Sequence, residues 1–451
     1  MIIDFAVSNY RSIKEEVVLS AVAQKGRKSQ GRNGSRRLSD DEIAPPLILD
    51  GRNIGLLPCL CIFGANASGK SNVLMALDHL LGMMTSKRNT ARQTPEDVVP
   101  FMLDSESSKL PTRFQLRVAL DRYLSNKSIV TSPSVTLLPP QTQLSAHIYT
   151  YSLSVKDKKI QEEALHYRPA GETKTRLLYQ GQRSEKTGKF AWKNGPDLVH
   201  RHIELQSSLP ENKSLMSNLY PHYESDVMEP LLSWLDFRWL GIGLGNEKYD
   251  RDLATLFIRR FDVLETRVSE IIRGFDTGIE RINIVQEKAV HANLAESYVV
   301  IVSHKIGERR VKWTLDEEST GTQRLFVLAS RMMYSFESGT PMIVDEMGSH
   351  IHPHITHAII RMFQNPRTNP RRSQLIFTSH DYTLQGGDLM RRDEIWYTEK
   401  RPDGTTDLFP LTDFLATKNL ATDRAYMTGR FGAVPILPSE EELAGIPELV
   451  A

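Results

Sequence analysis

The sequence predicts an α/β fold: a mainly parallel sheet flanked by helices, an antiparallel β-meander, and an inserted, largely helical middle lobe. Three observations predict it. Leu57 to Met84 (LPCLCIFGANASGKSNVLMALDHLLGMM) reads as an apolar strand, a Gly-bearing loop and a helix with apolar residues at helical spacing. From Ser297 onward, short apolar runs alternate with helical patterns: YVVIVSH, VKWTL, PMIVDE, QLIFTSH and DEIWYTEK. That is the rhythm of strands laid parallel with helical crossovers. Between these halves, TRFQLRVAL, AHIYTYSLSV and KIQEEALHY are β-patterned runs separated by turns, as in a meander.

At the chain start, IIDFAVSN alternates apolar and polar positions and EVVLSA follows a short Arg-Ser turn, which predicts a hairpin. The segment Gln24 to Asp41 carries Lys25, Arg27, Lys28, Arg32, Arg36 and Arg37 among Gly, Ser and Asn, the composition of a solvated charged loop. Cys59 and Cys61 lie two apart on a strand, so both thiols face the same way and are expected to be buried. Asp252 to Gly274 keeps Leu253, Leu256, Phe257, Leu264, Val268 and Ile271 on one helical stripe, which predicts a packed lid helix. The expected division is 1–123 for the N-terminal half of the head, 124–296 for meander and lid lobe, and 297–451 for the C-terminal half.

Composition narrows the function. In 451 residues, 40% hydrophobic and 25% charged is the balance of an ordinary globular chain, and no apolar run is long enough to span a membrane. Asp4 interrupts the place where a secretory signal would need its apolar core, so a cytoplasmic location is expected. A net charge of +1 excludes a chain built to coat nucleic acid as a whole; any such contact must be local.

The chemistry begins at Gly64-Ala65-Asn66-Ala67-Ser68-Gly69-Lys70-Ser71, which fits G-x-x-x-x-G-K-[ST] at every fixed position. Backbone N–H groups of such a loop, at the positive end of the helix that opens with Ser71 and Asn72, cradle phosphates. Lys70 would neutralise β- and γ-phosphates, and Ser71 would ligate Mg²⁺. PMIVDE ends an apolar strand in Asp345 and Glu346, placing two carboxylates at the carboxyl edge of the sheet, where α/β folds bind ligands. Asp345 is assigned to Mg²⁺ and Glu346 to orienting and deprotonating the attacking water. QLIFTSHD ends another strand at the same edge, so His380 is placed to hydrogen-bond the γ-phosphate. The expected ligand is ATP with Mg²⁺.

Glu318-Ser319-Thr320-Gly321-Thr322-Gln323-Arg324, opening a helix before the Asp345 strand, resembles the S-x-G signature of ABC-type ATPases. It is similar in particular to the S-[ST]-G-T-x-R form of AAA ATPases from phage-defence and abortive-infection operons, which are related to RecF, SMC and OLD-nuclease heads. It departs from the general signature at Glu318, Thr320 and Thr322. Asn9-Tyr10-Arg11-Ser12-Ile13 resembles the N-F-R-S-[IF] turn that opens these heads. Ser349 to Pro353 (SHIHP) resembles their D-loop, and Tyr426 to Pro435 their Y-x-x-G-R-[YF]-G-A-x-P closure. The resemblance implies an ABC-type P-loop ATPase head. It implies that Arg11 approaches the phosphates, and that Ser319 and Gly321 contact ATP on a partner's P-loop, so that the chain forms a head-to-tail dimer or higher homo-oligomer. It further implies a separate effector, nuclease-like or TOPRIM-containing as beside the PARIS and RloB-associated ATPases, and a phage protein or DNA as trigger. No TOPRIM-like acidic cluster follows His380, so cleavage would lie with the partner.

A RecF-like ATPase that binds DNA directly is the alternative, favoured by the basic loop from Lys25 to Arg37. A third possibility is an ATP-dependent clamp with almost no turnover. His350, His352, His354 and His357 have spacings that suit zinc, but Pro353 interrupts them and the D-loop already accounts for His352. Gln93 and the Pro100-Phe101 turn are the candidates for the Q-loop.

Overall fold

The computed structural model describes residues 1–24, 43–49, 54–85, 94–121, 143–184, 186–210, 212–219, 227–236, 241–244, 247–260, 262–275, 278–287, 297–386, 389–414 and 421–435. The basic segment Lys25 to Arg37 and Gln93 lie outside them. In chain order the elements are β1 (Ile2–Ser8), β2 (Val17–Ser20), β3 (Leu47–Leu49), β4 (Ile54–Leu56), β5 (Cys59–Gly64), α1 (Lys70–Met84), β6 (Thr112–Leu120) and β7 (Gln143–Leu144). Next come β8 (His147–Lys156), β9 (Lys159–Arg168), β10 (Arg176–Arg183), β11 (Phe190–Asn194), α2 (His200–Ser207), α3 (Leu215–Leu219) and α4 (Glu229–Asp236). The lid helices α5 (Glu247–Arg260) and α6 (Asp262–Gly274) lead into β12 (Ile279–Glu287), β13 (Ser297–Ile306) and β14 (Arg309–Thr314). The chain closes with α7 (Thr320–Ser338), β15 (Met342–Val344), α8 (Pro353–Gln364), β16 (Leu375–Thr378), β17 (Ile395–Lys400), β18 (Thr406–Pro410) and α9 (Thr422–Met427).

Two large sheets carry the fold. One is antiparallel with the order β11-β10-β9-β8-β6-β1-β2, so the N-terminal hairpin and the meander are one surface. The other has the order β15-β16-β5-β17-β18; its first four strands are parallel and only β18 runs back. Helix α1 is apolar nearly all round (Val73, Leu74, Ala76, Leu77, Leu80, Leu81), as a helix enclosed in the interior must be.

Strand β5 divides the interior. Leu60 and Ile62 face the core shared with α1 and the antiparallel sheet; Cys59, Cys61 and Phe63 face the core shared with α7, α8 and the lid helices. The period-2 alternation therefore serves two apolar bodies at once. Both cysteines are fully buried free thiols, and burial raises both well above the usual thiol range.

Two features differ from the sequence expectation. The runs YVVIVSH and VKWTL do not join the parallel sheet; as β13 and β14 they form a separate antiparallel sheet with β12. Only Gly307 and Glu308 separate the paired residues Ile306 and Arg309, and a two-residue loop with Gly307 at φ 61° permits a hairpin and no crossover. The predicted lid helix is two helices, one ending at Arg260 and the next starting at Asp262. Leu253, Phe257, Leu264 and Val268 are buried as the stripe requires, whereas Leu256 is 42% exposed.

Candidate nucleotide site

The loop after β5 is shaped by close approach. A Cβ on Gly64 would stand 2.5 Å from the Thr398 carbonyl oxygen, and one on Gly69, at φ 105°, would collide with the Thr406 side chain. Hydroxyls fasten it from outside: Ser68 Oγ bonds Thr398 Oγ1 at 2.7 Å, and Thr406 Oγ1 donates to the Ser68 carbonyl at 2.9 Å. Lys70 is buried, and its Nζ donates to the carbonyls of Gly64 and Ala65, each at 2.9 Å. Burial pushes its ammonium below the usual range, against the pull of Asp345 and Glu346.

The N-terminal turn reaches this loop. Asn9, at φ 52°, takes a conformation that Asn tolerates better than most residues, and its side chain bonds Ser107, Leu110 and Phe101 backbone groups. Asn72 Nδ2 donates to Ser12 Oγ at 2.7 Å, which in turn bonds Thr406 Oγ1 at 2.7 Å. Arg11 thus lies one residue from a contact with the helix that follows the P-loop, its guanidinium 5.7 Å from the Tyr10 ring centroid.

Strand β15 delivers Asp345 buried and Glu346 exposed at the carboxyl edge. One hydroxyl sets both. Thr378 Oγ1, at the end of the neighbouring strand β16, donates to Asp345 Oδ1 at 2.6 Å and accepts from the Glu346 N–H at 2.8 Å. Glu346 adopts φ 50°, unusual for a residue with a side chain, and its Oε2 accepts from Ser349 Oγ at 3.0 Å. His380 Nε2 is 4.0 Å from Glu346 Oε1, and burial followed by the Lys70 charge lowers its imidazole below the usual range. Lys70, Asp345, Glu346 and His380 are thereby gathered at one edge.

Ser319 is placed elsewhere. It caps α7, its Oγ accepting from the Thr322 N–H at 3.2 Å, and is exposed. Gly321 abuts the D-loop: a Cβ there would stand 2.5 Å from the His350 carbonyl oxygen. Among the described residues, no hydrogen bond joins Ser319 or Gly321 to the P-loop. Arg324, one turn on, donates from Nη2 to the Asp345 carbonyl at 2.8 Å and lines a cavity of about 280 Å³ with Asp250, Gln323, Glu346 and His350. His352 caps α8, and among the described residues no group of three His, Cys, Asp or Glu could hold a metal ion. The closure segment is a packing element: Tyr426 stacks on Tyr397 at 5.5 Å and donates to the Ala433 carbonyl. The sequence reading missed Thr378, Thr398 and Thr406, whose meaning comes from strand pairing.

The donor set fits ATP with Mg²⁺. The buried Lys70 ammonium stands among carbonyls, and by chemistry a serine hydroxyl and a carboxylate, those of Ser71 and Asp345, are hard-oxygen donors of the kind magnesium prefers. Fold and site define a P-loop ATPase domain. The family described as "AAA domain, putative AbiEii toxin, Type IV TA system" matches residues 59–384, and the chain belongs to it. No curated protein matches the sequence. Among solved structures it is similar to the SmcHead bound to the C-winged helix domain of ScpA, with 13% identity, TM-score 0.46, and 94% of this chain and 99% of that one covered. It is similar too to the Smc head domain with a coiled coil and joint derived from Pyrococcus yayanosii, with 10% identity, TM-score 0.45, and 95% and 99% covered. The SMC head domain from Thermotoga maritima gives 12% identity, TM-score 0.37, and 91% and 98% covered. No helix among the described residues is long and apolar enough to cross a membrane.

Proposed function

We propose that the chain hydrolyses ATP in a head-to-tail dimer, each ATP sandwiched between one copy's P-loop and the other's Ser319, and that this cycle gates a separate toxic effector in antiphage defence. The single observation that carries it is the division of the site. Lys70, Asp345, Glu346 and His380 meet at one sheet edge, while Ser319 is exposed and its hydroxyl, among the described residues, bonds only Thr322 of its own helix. A second copy would bring the missing half. Bound Mg²⁺ would supply charge neutralisation at the β- and γ-phosphates. Lys70 and the loop N–H groups hold the phosphates, Glu346 orients and deprotonates the water, and neutral His380 donates toward the γ-phosphate. The family's description as a toxin of a toxin–antitoxin system accords with an effector-linked role.

Glu346→Gln tests the reading. ATP should still bind and the dimer should persist by light scattering, while turnover falls on the order of 10²- to 10⁴-fold. Unchanged hydrolysis would refute the base assignment. A monomer at saturating ATP would refute the dimer.

One observation favours the RecF-like alternative. By the strand register, Arg281, Lys305, Arg310 and Lys312 share the outward face of the β12–β14 sheet, opposite the buried Ile282 and Val302, and all four are exposed. Only Arg310 has a carboxylate partner, Glu280, among the ion pairs described on this face. Salt-dependent duplex binding that is lost when these four are neutralised would promote that reading.

A further inference from the structure

Glu318 occupies the position where this signature first departs from the general one, and its side chain turns toward the β12–β14 sheet. Its Oε1 accepts from His304 Nε2 at 2.6 Å and from Trp313 Nε1 at 2.6 Å. The two rings come from adjacent strands, β13 and β14, and stack at 4.3 Å with 18° between their planes. Only 10% of the Glu318 side chain and 13% of the His304 side chain are exposed. A carboxylate so enclosed is held by its donors, since losing them would leave it screened from water and unpaired.

Ser319 follows at once, and two residues further Gly321 is wedged against the His350 carbonyl. The serine is therefore fixed from both sides: by the small sheet through Glu318, and by the D-loop through Gly321. We infer that Glu318 is a positioning residue, which ties the signature serine to the β12–β14 sheet and sets where Ser319 is presented to ATP on a second copy. This rests on the dimer reading above. Because β12 packs on α6 and the lid helices pack on α7, the sheet, the lid and the helix that carries the serine form one packed unit. The departure from the general signature is then an adaptation to a different mount.

Full-length variants test it with MgATP as the probe. Glu318→Ala should bind a fluorescent ATP analogue as the parent does and lose about tenfold or more in turnover at saturating ATP. Glu318→Gln, which keeps an acceptor, should recover much of it, and Trp313→Phe, which keeps the stack but not the donor, should fall between. Turnover unchanged in Glu318→Ala overturns the inference. Mixing separates it from the dimer reading. Glu318→Ala chains mixed with Lys70→Ala chains should regain turnover, because the hybrid pairs an intact P-loop with an intact signature. Ser319→Ala mixed with Lys70→Ala is the control. Recovery in the control alone overturns the role of Glu318; recovery in neither overturns the dimer.

Discussion

Around the P-loop, side chains from three distant stretches of sequence close in: Ser12 and Asn72, Ser68 and Thr398, and Thr406 against the Ser68 carbonyl. The signature segment is held differently. It touches the rest of the chain through Glu318, Gly321 and Arg324, whose guanidinium bonds the Asp345 carbonyl, and leaves the Ser319 hydroxyl exposed. The first arrangement prepares a phosphate cradle within one chain, at the cost of crowding that only glycine tolerates. The second fixes where a group stands without giving it a target. Under the proposed dimer, such a site has one half completed within the chain and one half presented to a second copy.

The contrast can be broken at its strongest point first. Lys70→Ala removes a charge-assisted contact worth about 2–3 kcal/mol, so nucleotide affinity should fall roughly a hundredfold in titration calorimetry with the thermal melt little changed. Gly321→Ala attacks the other half. The added Cβ meets the His350 carbonyl, and the strain, about 1–3 kcal/mol, should lower ATP turnover several-fold while nucleotide affinity stays at the parent value. If Gly321→Ala weakens binding by the isolated chain instead, the two halves are not separate. Thr378→Val tests the hinge between them: it strips the hydroxyl from Asp345 and the Glu346 N–H, about 1–2 kcal/mol, and should slow turnover more than it weakens binding.

The smallest effect on ATP turnover is expected at Glu394, away from either half. Burial raises its carboxyl from 4.5 to about 8. Between those values the unfolded chain releases the proton while the folded chain keeps it, so this group makes stability fall as pH rises from about 4.5 toward about 8. Glu394→Gln should flatten that slope, seen as melting temperatures that differ by only a few degrees between mildly acidic and mildly alkaline buffer. An unchanged slope would mean the carboxyl ionises in the fold.

Much of this was legible in the sequence because glycine, lysine and paired acids at a strand's end carry meaning at fixed spacing. GANASGKS and PMIVDE could be placed on the correct edge of a parallel sheet before any coordinates. Hydroxyls carry no such signal. Thr398 and Thr406 acquire their role only because β17 pairs with β5 and β18 folds back on β17, and pairing is a property of the whole chain. Strand direction was hidden for a like reason, since apolar alternation in β13 and β14 is the same in either sense. The two-residue turn at Gly307 was the available clue. Arg324 stood in the quoted signature, yet its bond to the Asp345 carbonyl depends on how α7 is set against β15.

The hydroxyl belt around the P-loop joins residues near 12, 70 and 400, and this has a consequence for how the protein is made. The octapeptide is synthesised first, and Thr398 and Thr406 follow more than three hundred residues later. A chain halted before them has the glycines and the lysine without the groups that press the loop into shape. The loop can take its shape only once the strands that carry Thr398 and Thr406 have been made, and a fragment that stops short of them carries the whole motif without its frame.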